Sequence, residues 1–260
     1  MKYTVRRIRE FLLGISLFAA ALAAWQLLTA LKAIPPWMLS PPTESLSTLW
    51  RLLWSGTLFE LLLNSLANML PAFCLSVVLS LALGVAIGMN SVVRRMFMPF
   101  LAAVNSVPSL AWLPLLIMMF GFTRQTIWTV IFISSFTKMI YSVIGGVRGI
   151  DRNWLLAARN LGLGRLRTIF KIVLPGALPQ ILGGVRLGFG SAWRSLIGAE
   201  MLVVTAGGLG KYIWMSQWAS KFDQVLAGII VIAFVGVLTE QLVFRKIEKV
   251  TLIRWGSVDG

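Results

Sequence analysis

Four ionisable side chains fall inside stretches that are otherwise apolar: Lys138, Arg186, Arg194 and Glu200. An ionised group in hydrocarbon costs roughly 3 kcal/mol or more, so such groups turn toward a bundle interior and mark a pathway. At about 1.5 Å per helical residue, Lys138 lies about 18 Å into its apolar stretch and Arg194 about 22 Å into its own. Both depths are near the middle of a hydrocarbon core about 30 Å thick. Glu200 lies about one and a half turns beyond Arg194. Arg186 is nearer an end, where its stem can snorkel. The bland arrangement is an internal ion pair, Glu200 with Lys138 or with Arg194. One carboxylate cannot neutralise two cations, so surplus positive charge remains, and it attracts an anion in transit. The candidate translocation path is therefore Lys138, Arg194 and Glu200, with Trp193 and Trp112.

Other chemistry lacks its residues. There is no His, and the one cysteine, Cys74, sits in an apolar run. Zinc catalysis and Cys/His nucleophile pairs are excluded, and no metal or cofactor is expected. The run Gly207-Gly208-Leu209-Gly210-Lys211 has the outline of a phosphate loop, but Thr205 stands where the first Gly is required and Tyr212 where Ser or Thr would bind magnesium. It reads instead as a flexible external loop, a gate or a landing place for another protein. ATP hydrolysis, if used, comes from another chain.

The elements that must position these groups are membrane helices. Of 260 residues, 58% are hydrophobic and 13% charged, and the mean hydropathy is +0.83. Soluble domains carry roughly 45–50% apolar and about 25% charged residues, so the solvent of this chain is a bilayer. The sequence predicts an all-α polytopic protein of about six spans: Phe11–Leu31, Pro71–Met89, Phe97–Phe120, Thr126–Val147, Pro179–Val204 and Val225–Phe244. Pro35-Pro36 and Pro41-Pro42 separate the first span from an amphipathic stretch, Ser45–Leu70. Pro99, Pro108 and Pro114 interrupt the third span, which places it against protein or a water-filled cavity. An N-terminal part, 1–57, precedes a core, 58–260. The first apolar stretch is long enough to span and lacks a small-residue cleavage site, so it reads as a helix rather than a signal peptide.

The net charge of +15 comes from 24 Lys and Arg against 9 Asp and Glu. The basic residues sit in short connections, so they read as orientation signals rather than as a nucleic-acid surface. One side collects Lys2, Arg6, Arg7, Arg9, Arg94, Arg95, Arg148, Arg152, Arg159, Arg165, Arg167, Lys171, Arg245, Lys246, Lys249 and Arg254. The other has Lys32, Arg51, Arg124, Lys211 and Lys221. The positive-inside rule puts the first group, and both termini, in the cytoplasm.

The long connection between spans four and five, 148–175, lies on that side. Asp151 is placed to cap a helix through Arg152–Leu161, and Asn160-Leu161-Gly162 supplies a stop. A second short helix, Arg165–Val173, is expected to end before Pro175. The run Ala157-Ala158-x-x-x-Gly162, nine residues, then Ile172-x-Leu174-Pro175, resembles the cytoplasmic loop motif of bacterial ABC-importer permeases, with Leu156 in place of its Glu. Further matches are Ser109-Leu110-Ala111-Trp112-Leu113-Pro114-Leu115, Met119-Phe120-Gly121, Pro175-Gly176-Ala177-Leu178-Pro179, Gly190-x-Ala192-Trp193, Ala199-Glu200, Gly207-Gly208-Leu209-Gly210 and Arg254-Trp255-Gly256. Over roughly 106–256 the chain is similar to the permeases for taurine, aliphatic sulfonates, nitrate and bicarbonate.

The resemblance implies a bacterial inner-membrane permease that pairs with a second copy, two cytoplasmic ATP-binding subunits and a periplasmic solute-binding protein. It assigns ATPase coupling to Leu156, Ala157, Ala158, Asn160 and Gly162, whose small side chains let a partner surface approach. In that family Pro usually stands at the position of Lys138, and a small or polar residue at Arg194, so both departures add positive charge and point to an anionic cargo. Gly184-x-x-x-Gly188 is a candidate dimer seam. A secondary carrier, with Lys138, Arg194 and Glu200 as a coupling site, and a membrane-embedded assembly factor are the competing readings.

Overall fold

The computed structural model describes residues 16–17, 19–31, 33, 39–203, 207–244 and 246. The basic residues Lys2, Arg6, Arg7 and Arg9, the start of the first expected span, Pro35-Pro36 and the closing Arg254-Trp255-Gly256 lie outside the described residues. Among those described, the helices in chain order are α1 (Ala19–Ala30), α2 (Pro42–Trp54), α3 (Thr57–Met89), α4 (Ser91–Ser106), α5 (Leu113–Phe120), α6 (Arg124–Arg148), α7 (Arg152–Asn160), α8 (Arg165–Leu202), α9 (Leu209–Trp218) and α10 (Phe222–Phe244). The protein is all-α.

Four of these, α3, α6, α8 and α10, are long and apolar enough to cross a bilayer, and a bent pair, Ser91–Ser106 with Ser109–Phe120, makes a fifth if counted as one span. Of the first expected span, the described run Ala19–Ala30 forms the apolar α1, and the start of that span lies outside the described residues. The amphipathic stretch ends earlier than its sequence reads: α2 stops at Trp54, and α3 runs 33 residues from Thr57 straight through Pro71. Pro71 removes one backbone donor, and the helix continues through it.

Contacts divide the chain into two compact units. The smaller is Met1–Leu61 with Tyr212–Ile232, and the larger is Leu62–Lys211 with Ala233–Gly260. In the smaller, Thr48 Oγ1 donates to Asp223 Oδ2 at 2.6 Å, and Arg51 Nη2 donates to Thr48 Oγ1 at 2.8 Å. These bonds fix the amphipathic α2 to the first turn of α10.

The larger unit is organised around α6. Its neighbours approach closely because glycines face it. A methyl group on Gly84 or Gly88 of α3 would overlap Val143 or Val147, and one on Gly184 or Gly188 of α8 would overlap Ser142 or Met139. The expectation that Gly184 and Gly188 pack against a second copy is corrected here: this chain's own α6 fills the groove they leave. Val85, Val143, Val147, Val173, Ala177 and Ile181 form one core cluster, and Ile87, Leu101, Ile140 and Ile144 form another.

Two proline effects shape the rest. Val107 is extended (φ −87°, ψ 125°), as a residue before proline prefers, so α4 ends at Ser106. A short 3-10 turn, Ser109–Trp112, then leads into α5, and the pair is bent by 89°. Only Pro108 breaks the third span; Pro99 lies inside α4, and Pro114 takes the first turn of α5. The second is at Pro175. The expected short helix ending before it does not form, because α8 runs unbroken from Arg165 to Leu202. A π turn at Ile169–Val173 precedes Pro175 and accommodates the hydrogen bond its ring cannot make.

Candidate translocation path and coupling surface

The break at Pro108 lies beside a small cluster of polar side chains. Lys138, on α6, is exposed, and its Nζ donates to Asn105 Oδ1 at 2.9 Å. Both residues line a small cavity of about 100 Å³ beside Pro108, Ser109, Ser134 and Thr137. A hydroxyl chain continues from it: Ser109 Oγ and Ser195 Oγ are 2.8 Å apart, and Ser195 Oγ donates to Ser134 Oγ at 2.8 Å. This chain ties the 3-10 turn, α6 and α8 together. Leu196, next to Ser195 in sequence, is fully buried.

The expected ion pair is absent. The Glu200 carboxylate is completely buried and accepts from Ser65 Oγ (2.9 Å), Asn68 Nδ2 (3.0 Å) and the Gly210 backbone N–H (3.0 Å). Neither Lys138 nor Arg194 is a partner. Ser65 Oγ also accepts from Leu209 N at 2.9 Å, and Asn68 Nδ2 reaches Gly207 O at 3.4 Å. Glu200 thus fastens the glycine run 207–210 to α3 and α8, which corrects its reading as a flexible loop. Gly207 and Gly208 have φ of +65° and +116°. A methyl on Gly208 would fall on the Glu200 carboxylate, and one on Gly210 on the Ile197 carbonyl. Residues 204–206 lie outside the described part.

The remaining predicted path residues separate. Arg194 is exposed and extends along α8 toward Gly190. Trp193 is buried and faces Gly236 of α10. Trp112 ends the 3-10 turn, and its buried indole N–H meets no acceptor among the described residues. Arg186 donates to Glu240 Oε1 at 2.6 Å, an ion pair that joins the middle of α8 to α10. The structure therefore joins Lys138 to Asn105, Ser109, Ser134 and Ser195. Sequence reading passes over Asn105, Ser134 and Ser195 because isolated polar residues in apolar runs carry no spacing signal. It passes over Ser65 and Asn68 because their partners lie over 130 residues away.

The long connection folds as α7 between two firm ends. Asp151 Oδ1 accepts from Asn153 N at 2.9 Å, capping its start. At its end Gly162 has φ +68°, with Gly162 N donating to Arg159 O and Leu163 N to Ala158 O, the paired bonds of a Schellman stop. Nothing lies within 4 Å of a methyl built on Gly162. Ala157 and Asn160 are exposed, and Leu156 is 44% exposed. Ala158 is 1% exposed, so its small size serves packing inside this chain rather than a partner's approach. Trp154, and Leu161 of the helix stop, are 57% and 79% exposed.

Residues 76–245 match the family model described as "Binding-protein-dependent transport system inner membrane component". The chain is 34% identical to the taurine transport system permease protein TauC of Escherichia coli K12, over 89% of this chain and 86% of that one. It is 34% identical to the putative aliphatic sulfonates transport permease protein SsuC of Bacillus subtilis 168, over 95% and 89%. To the bicarbonate transport system permease protein CmpB of Synechococcus elongatus it is 27% identical, over 72% and 67%. Among solved structures, an inward-facing form of the MetNI methionine ABC transporter superposes with a TM-score of 0.58 at 18% identity, covering 74% of this chain and 97% of that one. That likeness fixes the fold.

Proposed function

The chain belongs to the family of binding-protein-dependent transport system inner membrane components, and on that premise we propose that its cargo is a small anion passed along by Lys138. The protein is the membrane permease of an ATP-driven importer and not an enzyme; a separate subunit hydrolyses ATP. The family works with ATP-binding subunits and a periplasmic binding protein, in the inner membrane. Membership removes the secondary carrier and the assembly factor from consideration.

The observation that carries the cargo reading is the state of Lys138. It is a cation midway along a membrane helix, its acceptor is a neutral amide, and no carboxylate lies within salt-bridge distance among the described residues. Exposed Arg194 adds a second positive charge on the neighbouring helix. Taurine, sulfonates and bicarbonate, named for the relatives, are small molecules with an anionic group; a sulfonate, taurine, nitrate, bicarbonate or a carboxylate fits the same charge. A charge-assisted contact contributes about 1.5–3 kcal/mol, so Lys138→Ala with Arg194→Ala is expected to weaken anion transport roughly ten- to a hundredfold. Uptake by reconstituted transporter measures this, and unchanged affinity and range would refute the reading.

Further parts of the same proposal follow the family's design. Leu156, Ala157, Asn160 and the Gly162 turn, joined by Trp154 and Leu161, form the docking face for one of two ATP-binding subunits. A second permease copy completes the path. Both termini face the cytoplasm, and 1–57 is an N-terminal addition to a transport core, 58–260.

A further inference from the structure

Beside α7, in the larger unit, lies a cavity of about 650 Å³. Five arginines line it: Arg94 of α4, Arg148 at the end of α6, Arg152 and Arg159 of α7, and Arg165 at the start of α8. No carboxylate lies within salt-bridge distance of any of them among the described residues. The nearest acid in sequence, Asp151, is engaged in capping α7. Five like charges converging on one concavity repel one another unless an anion joins them. Guanidinium groups fork onto phosphoryl oxygens in paired hydrogen bonds, which makes a phosphoryl group the best-matched occupant.

The position narrows the source. Gly88 and Met89 close α3 and Val147 nears the end of α6, so the cavity opens where two membrane helices finish, on the side its own arginines mark as cytoplasmic. Leu155, Leu163 and Val173 supply an apolar wall. A basic pocket with an apolar wall at headgroup depth suits an anionic lipid. The face of α7 that lines it is separate from the docking face. At about 100° per residue, Arg152, Leu155 and Arg159 centre roughly 160° away from the centre of Trp154, Leu156, Ala157, Asn160 and Leu161, with Leu156 at the edge between the two faces.

We propose that this five-arginine cavity binds a phosphoryl oxyanion, supplied by the headgroup of an anionic phospholipid or by a free phosphorylated solute. Bound on one face of α7, it sets the position of the opposite face. That consequence, unlike the binding itself, rests on α7 being the ATPase-docking helix.

The test uses the permease purified with its ATP-binding subunits and stripped of lipid in detergent. It is titrated separately with short-chain phosphatidylglycerol, with phosphatidylcholine of equal chain length and with inorganic pyrophosphate. Native mass spectrometry reads retention, and hydrogen exchange over 147–168 reads protection in the unaltered protein. Phosphatidylglycerol retained with protection, and phosphatidylcholine not, assigns the site to lipid. Protection by pyrophosphate alone assigns it to a free solute. Arg94→Gln with Arg159→Gln should weaken binding at least tenfold, and Arg159→Lys should weaken it less, because charge persists without the fork. No protection by either anion, or equal binding by the double variant, overturns the site. Binding that leaves the ATPase rate of the complex unchanged overturns the link through α7 while the site stands.

Discussion

At Gly208 two demands coincide. The backbone sits at φ +116°, where an L side chain is strained, and the space a side chain would need holds the Glu200 carboxylate. Strain of this kind costs about 1–3 kcal/mol, and the crowding adds to it. Gly208→Ala should therefore lower stability by at least that much in thermal unfolding of the detergent-solubilised protein. If crowding contributes, the loss should be smaller when Glu200→Ala is already present, and strict additivity would show that only φ matters. Gly162 makes a cleaner contrast. Its φ of +68° is the same kind of demand, but nothing crowds it. Gly162→Ala should cost only the left-handed term, about 1–2 kcal/mol. The sequence displays these glycines plainly and hides their reasons, since a glycine needed for φ, for a neighbour or for a partner is the same letter.

Among elements, the pairing of α6 with α8 is where spacing misleads. The run Gly184-x-x-x-Gly188 predicts a close helix contact and is silent about which helix makes it. The partner is α6, through Ser142 and Met139. Gly188→Val should overpack the seam and lose about 1–3 kcal/mol, and Met139→Ala should restore part of that loss by vacating the space. Failure of Met139→Ala to rescue would place the contact elsewhere. The helices themselves were legible: hydropathy located α6, α10 and the body of α8, and Asp151 with Gly162 located α7. Proline was overread. Of Pro71, Pro99, Pro108, Pro114 and Pro175, only Pro108 ends a helix: Pro114 falls in a first turn, Pro175 follows a π turn, and α3 and α4 continue through Pro71 and Pro99 with one backbone donor missing at each. Local sequence cannot rank these outcomes, since tertiary packing decides them.

For the whole molecule, function was more legible than site. Apolar runs, the basic side and the Ala157–Pro175 spacing lead to an importer permease, and the family match agrees. The candidate path was half legible. Lys138 stands out as a charge in a span, whereas Asn105 reaches it from α4 beside the 89° bend, and Ser195 reaches Ser134, one turn from Lys138, from α8. Glu200 was assigned to the wrong partner because charge complementarity was read without the backbone that reaches it first. In the proposed importer α7 receives the motor's motion, with one face inward through Ala158 and the other bare. This role is tested most directly by co-purifying the ATP-binding subunit with permease variants at Ala157, which is exposed and carries no packing role. Ala157→Asp should abolish co-purification and ATP-driven uptake while the permease remains folded and monodisperse, and Ala157→Ser should retain both. An ATP-binding subunit that still arrives in full with the aspartate variant would contradict the account.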